Sequence, residues 1–404
     1  MINAAQTATE RAPRSRAERI GAAVARVRPT DRDALLIWLA SRASVWVVAG
    51  AIGWLMAEFD SGVVPFLDRW RRWDFVHFEG IAIHWYRGEP TGVPNEAFFP
   101  GLPALMRLGD AIGIAPVVGG LLVSFVAGGV AAVALARLGD IEGGPGTGRL
   151  AVLVWVFAPP AVFLAAPYTE SLFLGLAIPA WLCARRGRWS YAGLLAAAAC
   201  TVRVSGVFLV VAIAVEWLTS RHGRRWTDVP WLLAPAVPLA AWMTYLYSTT
   251  GDWLAWMSAQ AEEWNREFTW PWDALAHTVN AGFCGPAAGS FCIGDGSGGG
   301  MTPGFAWMFR AEIVAMAIGV ALTVALLVWR RWGDATWIGL QVVAFGTSFW
   351  YFSVPRATLL WWPLWIGLAV VAVRRRWVLW AYLSLSVPLM ALWAAAYLTS
   401  RWAG

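Results

Sequence analysis

Charge is scarce in this chain. Only 14% of its 404 residues are Asp, Glu, Lys or Arg, against about a quarter in an ordinary soluble domain, which excludes a soluble globular fold. Lysine is missing from the sequence, its core included, so the basic groups there are arginines. Four cysteines and four histidines leave little from which to build a metal centre or a disulfide scaffold. A signal peptide is not expected, because residues 1–33 are Arg-rich and lack the short apolar core that follows a charged start. The formal charge of +6 does not indicate nucleic-acid binding, since the excess arginines lie in short loops between apolar runs.

Hydrophobic residues, in contrast, make up 59% of the chain, with 30 Trp and 40 Gly. Trp gathers at bilayer interfaces and Gly is common in spanning helices, so the composition describes an integral membrane protein. Apolar stretches lie near 35–57, 113–137, 149–167, 169–184, 190–202, 204–219, 229–249, 309–329, 334–352, 356–373 and 377–398. A full crossing takes roughly 20 residues, so those near 169–184, 190–202 and 204–219 are short and are read as tilted or broken. The expected fold is an all-α polytopic bundle of about eleven transmembrane helices, with residues 1–34 as an Arg-rich cytoplasmic tail and 35–404 as one domain. The tail is partly amphipathic around Ile20 to Val27. With eleven crossings, the arginines of Arg137–Arg149, Arg185–Arg188, Arg221–Arg225, Arg330–Arg331 and Arg374–Arg376 share one side with the tail. That side is then cytoplasmic, and the C-terminus lies outside.

Two long segments, 58–112 and 250–308, face outward in this topology and are expected to hold amphipathic helices. Loops of such length in a compact protein usually carry function. The first contains Asp74, His77, Glu79, His84, Glu89 and Glu96 in a chain otherwise poor in charge. As a helix, 73–86 places Asp74, His77, Phe78, Ile81 and Trp85 on one face. From spacing alone, the favoured role of Asp74 is to pair with Arg71 or Arg72 or to cap the helix. Glu79 lies off this face, and Glu89 and Glu96 read as loop polarity. His77 and His84 lack a nearby third ligand, so no metal is expected. In the second segment Cys284 and Cys292 favour a disulfide over two free thiols, while Cys183 and Cys200 read as small apolar residues. Trp253, Trp256, Trp264, Trp270 and Trp272 are many for a linker and are expected against a lipid or a sugar, or else in an interfacial aromatic belt.

Two arginines oppose the charge bias of the loops. Arg203 and Arg356 both sit at outer ends of apolar spans, where an arginine costs roughly 2.5–3.5 kcal/mol unless it snorkels or is paired. Either alone is as well explained by snorkelling. Together they favour a shared anion, and the phosphate of an outer-leaflet lipid is the one most available.

The motifs around these residues resemble a known family. Trp73-Asp74, His77-Phe78, Ile81-Ala82, His84, Tyr86, Glu89, Ala97-Phe98-Phe99-Pro100-Gly101 and Pro103 are similar to the PIG-V family of GPI mannosyltransferases. Pro167-Tyr168-Thr169-Glu170-Ser171, Arg203, Gln260 with Trp264, and Pro355-Arg356 extend the resemblance over most of 35–375. Departures are Trp85 in place of the usual Gly, a short insertion around Pro90–Pro94, and a composition like that of a high-GC bacterium. The resemblance implies a GT-C fold glycosyltransferase that takes mannose from a polyprenyl-phosphate donor, without cofactor, on the outer face of a bacterial plasma membrane. It further implies Asp74 as general base, Arg203 and Arg356 at the leaving phosphate, and His77, Glu79, Tyr168, Glu170, Gln260 and Trp264 as substrate contacts. The acceptor would be a lipid or glycan of undefined identity. A lipid or sugar transporter and a non-catalytic transferase subunit are the alternatives. Against transport stand the absence of an internal repeat and the gathering of polar residues on one face; Asp74→Asn discriminates all three.

Overall fold

The computed structural model describes residues 28–57, 64–86, 94–220, 224–286 and 288–401. The expected tail up to residue 27, Glu89, the insertion from 90 to 93 and Arg221 lie outside the described residues.

The described chain is helical, apart from a two-residue antiparallel pairing of Cys284–Gly285 with Gly289–Ser290. Five helices are long and apolar enough to cross a bilayer: Pro29–Leu55, Pro116–Gly143, Trp226–Thr250, Pro303–Val328 and Arg376–Leu398. A sixth crossing is available if Val354–Leu360 and Trp362–Arg374, bent by 72°, count as one span. The protein is therefore a polytopic membrane protein. The remaining apolar stretches form shorter helices, Thr147–Val156, Thr169–Arg185, Trp189–Cys200, Ser205–Thr219 and Trp332–Gly346.

Proline explains where the expected spans break. The 149–167 stretch ends as an α-helix at Val156, and a 3-10 turn at Ala161–Leu164 follows Pro159-Pro160. The 356–373 stretch starts as the short helix Val354–Ala357, turns through Thr358–Leu360, and restarts at Trp362 with Pro363 in the first turn. Three indoles donate to successive carbonyls of this elbow, the first of which, Thr358 O, also accepts the Trp361 amide at 3.0 Å. Trp365 donates to Thr358 O at 3.0 Å, Trp155 to Leu359 O at 3.1 Å and Trp337 to Leu360 O at 3.1 Å.

Thr169–Arg185 is the central helix. Phe173, Leu174, Ile178 and Trp181 on it are all buried, as expected of a helix apolar all round. It lies so near Pro116–Gly143 that a Cβ on Gly175 would stand 2.7 Å from the Ala127 carbonyl. At its C-terminal end Arg185 meets Glu216 at 2.7 Å and Glu142 at 3.3 Å. Arg331 joins Glu142 and Asp334 there, and Arg137 grips Asp31 at 2.6 Å. At its N-terminal end stands Glu170. A helix rises about 1.5 Å per residue, so these two charged ends are separated by about 20–25 Å.

The two long segments, 58–112 and 250–308, fold onto the Glu170 end in their described residues. The first contributes the helices Asp74–His84 and Gly101–Asp110. The second contributes Ala255–Trp264 and Pro271–Phe283. A disulfide joins Cys284 to Cys292, and Cys183 and Cys200 are free thiols.

Candidate active site

Four charged side chains meet at the Glu170 end. Arg356 donates from Nη1 to Asp74 Oδ2 at 2.7 Å and from Nε to Glu170 Oε1 at 2.6 Å. Arg203 Nη1 also meets Glu170 Oε1, and donates to Thr169 Oγ1 at 3.1 Å. The order Asp74–Arg356–Glu170–Arg203 thus alternates in sign. Glu170 is fully buried and Arg356 nearly so, whereas Asp74 and Arg203 keep about a fifth of their side-chain surface. These two and Arg356 face a cavity of about 190 Å³, which Gln260, Trp264 and Arg266 also line.

Each of these side chains is held from behind. Tyr168 donates its hydroxyl to the Arg72 carbonyl at 2.6 Å and Tyr397 donates to the Trp70 carbonyl at 3.0 Å, fixing the chain just before Asp74. Trp73 there takes φ 51°, and Ser353, before the Arg356 turn, takes φ 69°. Side-chain-bearing residues rarely adopt this left-handed region, so both turns depend on their surroundings. The Arg356 guanidinium lies over the rings of Phe163 and Tyr168, 4.8 and 4.7 Å from their centroids. Such stacking suits the planar, weakly hydrated guanidinium.

The second long segment clamps the irregular stretch leading to Arg356. The Thr269 amide donates to Thr347 O at 2.8 Å, the Phe349 amide to Asn265 O at 3.3 Å, and the Tyr351 amide to Thr278 Oγ1 at 2.9 Å. His277 Nδ1 meets the Phe349 carbonyl at 2.9 Å, and Arg266 donates to Phe352 O at 3.2 Å. From the Pro303–Val328 helix, Glu312 accepts the amides of Ser353 and Val354 at 2.8 and 2.7 Å, which caps the turn bearing Arg356. Neither Glu312 nor Arg266 stands out by motif. An acid inside the apolar run 309–329 was the available signal for Glu312.

The expected site residues separate into four groups. Asp74, Arg203, Arg356, Gln260 and Trp264 line one cavity. Tyr168 and Glu170 lie behind it, the Tyr168 hydroxyl committed to the Arg72 carbonyl and Glu170 Oε1 to Arg203 and Arg356. His77 stacks on Phe98 at 4.8 Å and meets Trp264 edge-on at 6.1 Å. Glu79 points elsewhere, pairing with Arg71 at 3.2 Å. Arg71, expected as a partner of Asp74, instead holds Glu79 and Asp68. Trp85 is not part of the helical face, because the helix ends at His84 and Trp85 turns away at φ 59°. Of the five tryptophans from Trp253 to Trp272, Trp256 and Trp264 line the cavity, while Trp253, Trp270 and Trp272 are exposed. Among the described residues, no three His, Cys, Asp or Glu side chains converge as a metal-binding group.

The electrostatics follow from burial. Desolvation lowers the His77 pKa against the pull of Asp74 and a hydrogen bond with Asn95, so His77 is neutral at pH 7. Burial, reinforced by Arg203, lowers Arg266 to about 10. The cavity is therefore a cationic one whose charge is offset by two carboxylates, and one of these, Asp74, sits at its edge. An anion entering would compete with Asp74 for Arg356.

Residues 55–222, which contain Asp74, Tyr168, Glu170 and Arg203, match the family described as Mannosyltransferase (PIG-V). Over this stretch the chain is homologous to the PIG-V mannosyltransferases. It is 34% identical over 187 residues to GPI alpha-1,6-mannosyltransferase 2 of Cricetulus griseus, covering 43% of this chain and 36% of that protein. The Homo sapiens protein of the same name is 37% identical over 149 residues, 34% of this chain and 29% of that one. GPI mannosyltransferase 2 of Cryptococcus neoformans is 33% identical over 149 residues, 34% of each chain. The match spans about a third of the length of these curated relatives. It is shorter than the 35–375 suggested by motifs: the PIG-V match leaves out Gln260, Trp264 and Arg356, which the fold brings to the same cavity.

Proposed function

We propose that the protein is a membrane mannosyltransferase that moves mannose from a polyprenyl-phosphate donor to a lipid-linked or glycan acceptor on the extracytoplasmic face. In this reading the molecule is a GT-C-type bundle of about eleven crossings, in which the short helices complete the count. The Asp74 end faces outward in a bacterial plasma membrane, and the Glu142 end, rich in loop arginines, faces the cytoplasm.

The observation that carries the proposal is the bidentate position of Arg356 between Asp74 and Glu170, at a cavity shared with Arg203. A donor phosphate takes the place of Asp74 on Arg356 and is held from the other side by Arg203. Asp74 is then released as a base beside the reacting sugar. The acceptor O–H bond breaks with its proton passing to an Asp74 carboxylate oxygen, and the acceptor oxygen bonds to sugar C1 from the face opposite the phosphate. The C1–O bond breaks with its electron pair passing to the phosphate oxygen, whose growing charge the two arginines stabilise. Configuration at C1 inverts. Glu170 holds the arginines at the correct separation, and Gln260 and Trp264 contact substrate from the second outer segment. Charge neutralisation by arginine makes no demand for a metal, so transfer should persist in a chelator.

The test is transfer itself. The purified protein in lipid nanodiscs is given polyprenyl-phosphate mannose and a membrane lipid extract, with products identified by mass spectrometry. A mannosylated lipid formed by the native chain and not by Asp74→Asn supports the proposal. Equal product from both would remove Asp74 as base, and no product with any extract would remove the transferase reading.

A further inference from the structure

The end of the bundle away from Asp74 carries a groove that the proposed reaction does not use. It runs between the Pro29–Ala57, Pro116–Gly143 and Thr169–Arg185 helices, encloses about 580 Å³, and has apolar walls that include Leu35, Leu39, Val130 and Leu182. Trp38 lines it as well, and a Cβ on the neighbouring Gly128 would lie 2.2 Å from the Trp38 ring, so only glycine lets the indole lie against this helix.

One end of the groove is cationic. Arg137, Arg186 and Arg188 line it, and Arg137 with Arg186 also lines an adjoining pocket of about 170 Å³ that Arg28, Thr30 and Asp140 complete. The local acids are already engaged. Asp31 is gripped by both arms of Arg137, at 2.8 and 2.6 Å. Asp140 accepts the Thr30 hydroxyl at 2.8 Å and the Gly148 amide at 2.9 Å. Among the described residues no carboxylate lies within ion-pair distance of Arg28, Arg186 or Arg188. Desolvation and the charges of Arg137, Arg28 and Arg188 push the Arg186 guanidinium below its ordinary pKa, and Asp31, held by Arg137, reaches Arg28 and Arg186 only through space.

We propose that this groove binds one anionic glycerophospholipid, its acyl chains along the apolar walls and its phosphate among Arg28, Arg186 and Arg188. A trough of hydrocarbon walls opening into a cationic pocket matches the two ends of such a lipid, and a free phosphate would leave the trough empty. Guanidinium forks suit phosphate oxygens, and basic pockets between spanning helices at the bilayer surface are known to select anionic headgroups. The inference rests on the chain spanning a bilayer and is independent of mannosyl transfer.

The test is native mass spectrometry of the full chain released from nanodiscs that hold equal phosphatidylglycerol and phosphatidylcholine. Retention of one phosphatidylglycerol, undisturbed by excess inorganic phosphate, is expected. Each arginine near the surface contributes about 1 kcal/mol, so the double variant Arg186→Gln, Arg188→Gln should retain it about 30-fold less well. Val130→Trp, which fills the trough and leaves the arginines intact, should also lose it, and serves if the double variant fails to fold. Equal retention of phosphatidylcholine, or undiminished retention by the variants, would overturn the proposal. Displacement by inorganic phosphate alone would make this an anion site and not a lipid site.

Discussion

Glu312 holds Arg356 in place through the backbone: its carboxylate accepts the amides of Ser353 and Val354, and the turn so fixed delivers Arg356 to Asp74 and Glu170. Glutamine at 312 would keep one acceptor and set an NH₂ group against the other amide. An unsatisfied buried donor costs about 1–3 kcal/mol, so Glu312→Gln should lower the melting temperature. It should also worsen donor KM and kcat together, because it displaces the clamp that holds phosphate before and during cleavage. An unchanged KM in a folded variant would make Glu312 purely structural.

Asp74→Asn keeps the size of the side chain and loses the ability to accept the acceptor proton. A general base contributes about 10²–10⁴-fold, so kcat should fall by at least that range while donor still binds. Poor donor binding with normal turnover at saturation would identify Asp74 as a binding residue.

The two arginines should fail differently in stability. Arg356 is buried between two carboxylates, and breaking a buried pair by removing one partner costs about 3–5 kcal/mol. Arg203 is partly exposed, and Arg203→Ala should cost less. Both should worsen donor KM and kcat together, since phosphate is bound before and during bond cleavage. Lysine should restore only part of the loss, as it lacks the guanidinium fork. Thermal melts with steady-state kinetics on both alanine variants check this.

Gln260 donates to the Ala97 carbonyl at 3.2 Å, and Trp264 packs edge-on against Phe98 at 5.5 Å. Both join the two long segments at the cavity, so Gln260→Ala and Trp264→Ala should raise KM. Unaltered kinetics in both would reduce this segment to a cover.

His77 gives a pH signature. Its folded pKa is lowered, chiefly by desolvation, from an unfolded value of about 6.5. Below that value the unfolded chain takes a proton that the folded protein refuses, so stability falls as pH drops through the window between the two values. Above it the contribution is constant. His77→Phe should flatten that part of the melting-temperature profile, and an identical slope in the variant would remove His77 as its source.

Much of the site was legible because membranes penalise charge. Asp74, Arg203 and Arg356 drew notice as polar groups beside apolar runs, and all three line one cavity. Their pairing was not legible. Arg356 stands 282 residues from Asp74, and local spacing offered Arg71 and Arg72 instead. Glu170 resembled a sugar contact by motif, yet its full burial behind two arginines depends on the packing of Thr169–Arg185, which periodicity does not reveal. The apolar stretches were visible as helices, but their lengths depended on Pro159-Pro160 and Pro363, where hydropathy alone runs on without a break.

The 72° elbow before Trp362 bears on how the chain enters a bilayer. A broken helix cannot face hydrocarbon, where no water meets its unpaired amides and carbonyls. Here Glu312 receives two of the amides, and the indoles of Trp155, Trp337 and Trp365 serve the carbonyls. Apart from Trp365, which the elbow brings with it, every one of these groups precedes the elbow in the chain. The cover is therefore synthesised first, and the elbow can leave the insertion machinery directly into protein without ever meeting lipid.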